Sequence, residues 1–264
     1  MSRSIRRRTI LALLLCGVAA GGVAALFAAT SNFGTVIEGS IYRAGQMSPE
    51  ELASTLKRYG IRTVLNLRGQ HPEAEWYRKE LETTLAAGAV QVDVALSSCD
   101  WISRAQGETL LHLLETSATP ILIHCFHGSE RTGLVSSLAA LLRPASSIED
   151  GYNQFTIKHM YFHIGDGARM REHLDLYTQW LDTNGHSHSP ERIREWLLRE
   201  YRPGSPSREE WPYDPYPLRV TTRRLSDRGG ASTPEVEIVW TPGSEPGSVA
   251  RMESTRRAPL NRVE

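Results

Sequence analysis

The chain has 264 residues, 40% of them apolar, which suffices for one well-packed core with residues to spare at either end. Thirty basic residues balance thirty acidic ones, so net charge excludes nucleic acid as a main partner. The three cysteines, Cys16, Cys99 and Cys125, exclude a disulfide framework and lack the Cys/His spacing of structural zinc, and nothing in the pattern calls for a metal or another cofactor.

Arg3, Arg6, Arg7 and Arg8 precede an uncharged run from Thr9 to about Thr30. At a rise of about 1.5 Å per residue, roughly twenty such residues cross a hydrocarbon core about 30 Å thick, and flanking positive charges stay cytoplasmic. Residues 1–31 are therefore expected to form a single-pass transmembrane helix, amino terminus cytoplasmic and the remainder on the opposite side. A cleaved signal peptide and a secreted product is the competing reading, although the run is long for one and Ala29-Thr30-Ser31 fits a cleavage site poorly.

After a short linker, Gly39 to Arg43 reads as a strand. Ser48-Pro49-Glu50-Glu51 supplies a cap, a first-turn proline and early acids for a helix that Gly60 stops. Arg62 to Leu67, β-branched and apolar, reads as a buried strand. Glu73 to Ala87 reads as a second helix and Val90 to Leu96 as a second core strand with alternating apolar positions. A loop, Ser97-Ser98-Cys99-Asp100-Trp101, leads to a third helix from about Arg104 to Glu115, capped by Ser103. The run Ile121-Leu122-Ile123 fits a central parallel strand. Helices follow over 132–142, 147–159, 168–181 and 190–201. The alternation predicts an α/β fold, a central mostly parallel sheet flanked by helices, spanning residues 32–202. Residues 203–264 turn rich in Pro, Gly, Ser and Arg and are expected to be mostly disordered. Within them Leu218 to Leu225 and Val236 to Trp240 are candidates for an edge hairpin.

The chemistry concentrates at His124-Cys125-Phe126-His127-Gly128-Ser129-Glu130-Arg131-Thr132-Gly133, between an apolar strand and a helix. Backbone N–H groups of Phe126, His127, Gly128, Ser129, Glu130 and Arg131 at a helix start form an anion nest suited to a phosphate dianion. Arg131 can donate two parallel hydrogen bonds to phosphate oxygens. The same field should lower the thiol pKa of Cys125 and make it a nucleophile. Thr132 is placed to steady the leaving thiolate. His124 reads as a structural histidine fixing local backbone, and His127 meets either substrate or solvent.

These residues resemble the signature of the protein tyrosine phosphatase superfamily, especially its compact dual-specificity branch. Ile41-Tyr42-Arg43-Ala44-Gly45-Gln46 and Gly60-Ile61-Arg62-Thr63-Val64-Leu65-Asn66-Leu67-Arg68 are similar to the opening strands of bacterial and fungal members, and the resemblance extends over about Gly39 to Leu181. It implies hydrolysis of phosphate monoesters on phosphorylated proteins or phosphoinositides. It also implies a general acid on a loop, for which Asp100 is chosen, with Glu130 and then Asp93 as alternatives. Glu130 otherwise orients Arg131 or Arg68. Cys99 reads as an ordinary loop cysteine, His186 and His188 as a solvated inter-helix loop, and Trp180 and Trp196 as core anchors. The competing classes are a phosphate-binding pseudophosphatase without turnover and a sulfurtransferase or arsenate reductase. The last two would show a different loop length or further cysteines, which this chain lacks.

Overall fold

The computed structural model describes residues 31–204, 219–224 and 236–239, with isolated positions between 9 and 22. Seven strands form one sheet in the order β1-β2-β5-β3-β4-β6-β7. They are β1 (Gly34–Ile37), β2 (Ile41–Ala44), β3 (Thr63–Asn66), β4 (Val90–Val94), β5 (Ile121–His124), β6 (Arg219–Arg223) and β7 (Val236–Val239). The inner four, β2, β5, β3 and β4, are parallel. The outer pairings are antiparallel, so the expected mostly parallel sheet is corrected to a parallel centre with antiparallel edges. Hairpin return at each end requires that reversal.

Alternation along the strands assigns each face a core. Tyr42, Ala44, Val64 and Leu122 point to one side, where Leu52 and Leu56 of helix α1 (Pro49–Tyr59) cover them. Ile41, Leu65, Ile121 and Ile123 point to the other. There they meet α3 (Arg104–Thr116), α4 (Glu130–Leu141) and α6 (Arg169–Thr183) through Leu110, Leu138 and Leu174. Helix α2 (Glu75–Ala86) lies beside α1 and reaches β4. The remaining helices are α5 (Ile148–Tyr152) and α7 (Pro190–Glu195), the latter running into a π-helical turn at Trp196–Glu200.

The caps read from the sequence hold. Ser48 accepts from the Glu51 N–H at 3.2 Å, and Ser103 with Gln106 forms a reciprocal capping box. The helix expected over 147–159 stops at Tyr152 instead. Tertiary contacts override its local preference: Phe155 packs where a Gly133 side chain would stand, and Gln154 turns inward to meet Arg43.

In the segment expected to be irregular, β6 and β7 instead extend the sheet, and Val220 and Thr221 are buried beside β4. The rest of 203–264 beyond Gly204 lies outside the described residues. So does nearly all of the expected membrane segment, and among the described residues no helix is long and apolar enough to cross a membrane. His188 corrects another expectation: its ring bonds Tyr177 Oη at 2.9 Å and Ser146 Oγ at 3.1 Å, joining helices rather than facing solvent. Trp196 is a buried core anchor, as read, and Trp180 packs partly buried against the same cluster.

Because β6 covers the edge of β4, truncation after Gly204 is expected to lower the thermal midpoint and raise aggregation of the remaining chain. An unchanged midpoint would show that β6 contributes nothing to the sheet.

Candidate active site

Cys125 follows β5 directly and is 1% exposed. Ser129 opens α4, so six residues turn from the strand end to the helix start around the sulfur. Their carbonyl oxygens are held outward by buried donors. Gln46 N–H donates to Phe126 O at 2.9 Å. Asn32 Nδ2 donates to His127 O at 2.8 Å, and Arg43 Nη2 to Gly128 O at 2.7 Å. With the carbonyls so occupied, the loop amides are left to converge on the space over the sulfur. Gly128 has φ +71° and lies against the backbone of Ala44 and Gly45, where a Cβ would come within 2.5 Å of Gly45 N. Only glycine fits both conditions.

Burial opposes ionisation of Cys125. Arg131, the Thr132 hydroxyl and the N–H groups of Thr132 and Gly128 outweigh it and bring the thiol below its ordinary value. The buried Thr132 hydroxyl bonds no other nitrogen or oxygen, which leaves it for the sulfur. Arg131 Nη1 reaches Leu96 O at 3.3 Å and Leu67 O at 3.5 Å, the ends of two strand segments. Its buried Nε has no protein partner, which suits an anion in the loop.

A cavity of about 590 Å³ opens above, lined by Arg68, His71, Ser98, Cys99, Phe126, His127, Glu130, Arg131 and Gly167. Arg68 stacks 3.5 Å from the Trp76 ring centre and lies 5.0 Å from that of Phe126, with Nη1 donating to Gln46 Oε1 at 2.8 Å. Desolvation and then the Arg131 charge lower its pKa. Behind the loop, His124 Nε2 lies 3.2 Å from Glu80 Oε1. Burial disfavours charge on both, yet their mutual attraction raises His124 and lowers Glu80. Glu80 also accepts from Gln91 at 2.9 Å and from Gln46. The structural reading of His124 fits this position.

The three carboxylates differ in setting. Asp93 is buried within β4, where it accepts from Tyr77 Oη at 2.5 Å and Asn66 Nδ2 at 2.9 Å, and burial raises its pKa. It faces α2 rather than the cavity. Asp100 lies 4.0 Å from Arg169 Nη1 on a loop pinned to α6: Arg169 also donates to Cys99 O, and Ile102 N–H donates to His173 Nε2 at 3.2 Å. His173 returns its Nδ1–H to Arg169 O at 2.7 Å, and burial pushes its pKa down to about 4, so it is neutral. Glu130 lines the cavity beside Arg131. Cys99, read as an ordinary loop residue, also lines it.

Asn32, Arg43, Gln46 and Glu80 received no role from sequence reasoning. One signal was present: a charge at Arg43 inside an otherwise apolar strand, which a buried strand carries only for a partner.

The chain matches the tyrosine phosphatase family over residues 20–147. No curated protein matches it. Similar solved structures include the core catalytic domain of the PP-IP phosphatase SIW14 from S. cerevisiae, 21% identical over 58% of this chain and 93% of that one, TM-score 0.44. TpbA from P. aeruginosa is 19% identical over 58% and 87%, TM-score 0.42. A putative phosphatase from Shewanella putrefaciens is 16% identical over 42% and 71%, TM-score 0.36.

Alkylation of Cys125 followed against pH should show a midpoint below about 8.5, the ordinary thiol value. Arg131→Ala should move that midpoint up, because the nearest positive charge is lost; no movement would remove Arg131 as the cause. By the family match and the loop it contains, residues 20–147 belong to the tyrosine phosphatase family.

Proposed function

We propose that the protein hydrolyses phosphate monoesters through a phosphocysteine intermediate formed on Cys125. The observation that carries this reading is the sulfur set beneath a loop whose carbonyls are all tied outward, beside a guanidinium with a buried unpartnered Nε. The phosphate oxygens take the amides of residues 126–131 and the Arg131 fork. Thiolate attack in line forms the S–P bond as the P–O bond to the leaving group breaks. A carboxylic acid protonates the departing oxygen. In the second step the carboxylate takes a proton from water, the water oxygen bonds phosphorus, and the S–P bond breaks with Thr132 steadying the thiolate.

Glu130, already lining the cavity, can serve as that acid without rearrangement. Asp100 would serve after release from Arg169 and a swing of its loop. The substrate class follows the chemistry of the loop: phosphorylated proteins or phosphoinositides, with residues 1–31 holding the enzyme at a membrane.

Cys125→Ser is expected to abolish hydrolysis while inorganic phosphate still binds, and Arg131→Lys to lower turnover by about 10²–10³-fold. Turnover persisting in Cys125→Ser would contradict the mechanism. Of Glu130→Gln and Asp100→Asn, the variant that removes the true acid should lose the alkaline limb of the kcat profile and about 10²-fold or more on an alkyl phosphate. It should lose far less on an activated aryl phosphate. If both variants keep the limb, neither carboxylate is the acid.

A further inference from the structure

Segment 157–167 runs along one side of the catalytic loop and is fastened to it at both ends. Ser129 Oγ donates to Met160 O at 2.9 Å, Asn32 Nδ2 donates to His159 O at 3.0 Å, and Gly167 packs against the Glu130 side chain. Between these fastenings Phe162 is 56% exposed and Ile164 76% exposed, with Ile157 at 67% beside them in sequence. Lys158 and His163 are exposed among them. Three large apolar side chains held in water next to a cavity mouth, interleaved with basic groups, have the composition of a surface that enters the bilayer interface.

The chain itself indicates what covers them. Asn32 bonds the catalytic loop carbonyls and the His159 carbonyl together. The uncharged run Thr9 to Thr30 ends two residues earlier, a span of at most about 7 Å of backbone. If that run occupies a bilayer, no linker is long enough to hold the catalytic loop far from it, and segment 157–167 lies at headgroup depth. Arg68 and Arg131 in the cavity complement an anionic headgroup.

We propose that Phe162 and Ile164 insert into the lipid interface and that the cavity takes the phosphomonoester headgroup of a lipid in the same membrane. This rests on the phosphatase reading above and narrows its substrate. A phosphorylated protein would need a contact surface of its own. The exposed finger presents a few apolar tips and a lysine, which bilayer insertion satisfies without a matched partner.

The test uses the full chain reconstituted in phosphatidylcholine vesicles containing phosphatidylinositol 4-phosphate, beside a phosphotyrosine peptide and para-nitrophenyl phosphate. Phosphate should be released from the lipid faster than from the peptide. The double variant Phe162→Ser/Ile164→Ser should lose about tenfold or more on the lipid and stay within about twofold on para-nitrophenyl phosphate, which needs no docking. Phe162→Trp should be quenched by brominated lipid. Lipid turnover equal in variant and parent, peptide turnover exceeding lipid turnover, or an unquenched tryptophan each overturns the proposal, while para-nitrophenyl phosphate hydrolysis leaves the phosphatase reading standing. Absence of para-nitrophenyl phosphate hydrolysis in the parent would overturn both.

Discussion

The direction of three carbonyl groups governs the chemistry of this protein. A loop of six residues around a sulfur can present either its oxygens or its amides to the centre, and an anion tolerates only the second arrangement. Gln46, Asn32 and Arg43 draw Phe126 O, His127 O and Gly128 O outward. The thiolate, the phosphate nest and the role of Arg131 all presuppose that orientation. The donors come from the segment just before β1, from β2 and from the turn after it, so the amino-terminal hairpin is part of the site's scaffold as well as the sheet's edge.

Holding the loop this way requires burying charge. Arg43 is fully buried, and desolvation lowers its pKa to about 9, with the Cys125 thiolate pulling the other way. It stays charged at neutral pH. The cost of burial is offset by hydrogen bonds to Gly128 O, Gln154 O and Gln154 Oε1. That demand also explains why the helix after Ser147 ends early, since Gln154 must turn inward. On the other side of the loop the Glu80 and His124 pair passes through Gln46 to Arg68. A continuous polar path thus joins the strand behind the nucleophile to a guanidinium in the cavity. An apolar replacement of Arg43 or Glu80 would fill space and leave the remaining polar groups unpaired, which is costlier than either residue's own removal from water.

Much of this was legible in the residues. Ile121-Leu122-Ile123 followed by Cys125 and Arg131 identifies a strand, a loop and a helix start because buried parallel strands and helix amides leave separate, recognisable patterns. Ser48, Ser103 and Gly60 marked helix ends through their own hydrogen bonding and backbone freedom. What was not legible depends on distant partners. Asn32 is an ordinary polar residue until His127 and His159 are folded around it, and strands β6 and β7 are short, with pairing supplied by β4 rather than by local preference. The setting of Asp100 is likewise tertiary: it follows from Arg169 and His173 on α6, about seventy residues away.

The central claim is that phosphate passes through a covalent bond to one sulfur held as an anion. The most direct measurement is mass spectrometry of the chain quenched in acid during turnover of an aryl phosphate. A phosphate adduct on the peptide bearing Cys125, formed and lost at rates consistent with turnover, is the predicted result. Turnover with no adduct on that peptide, or with phosphate carried by His127 instead, would contradict it.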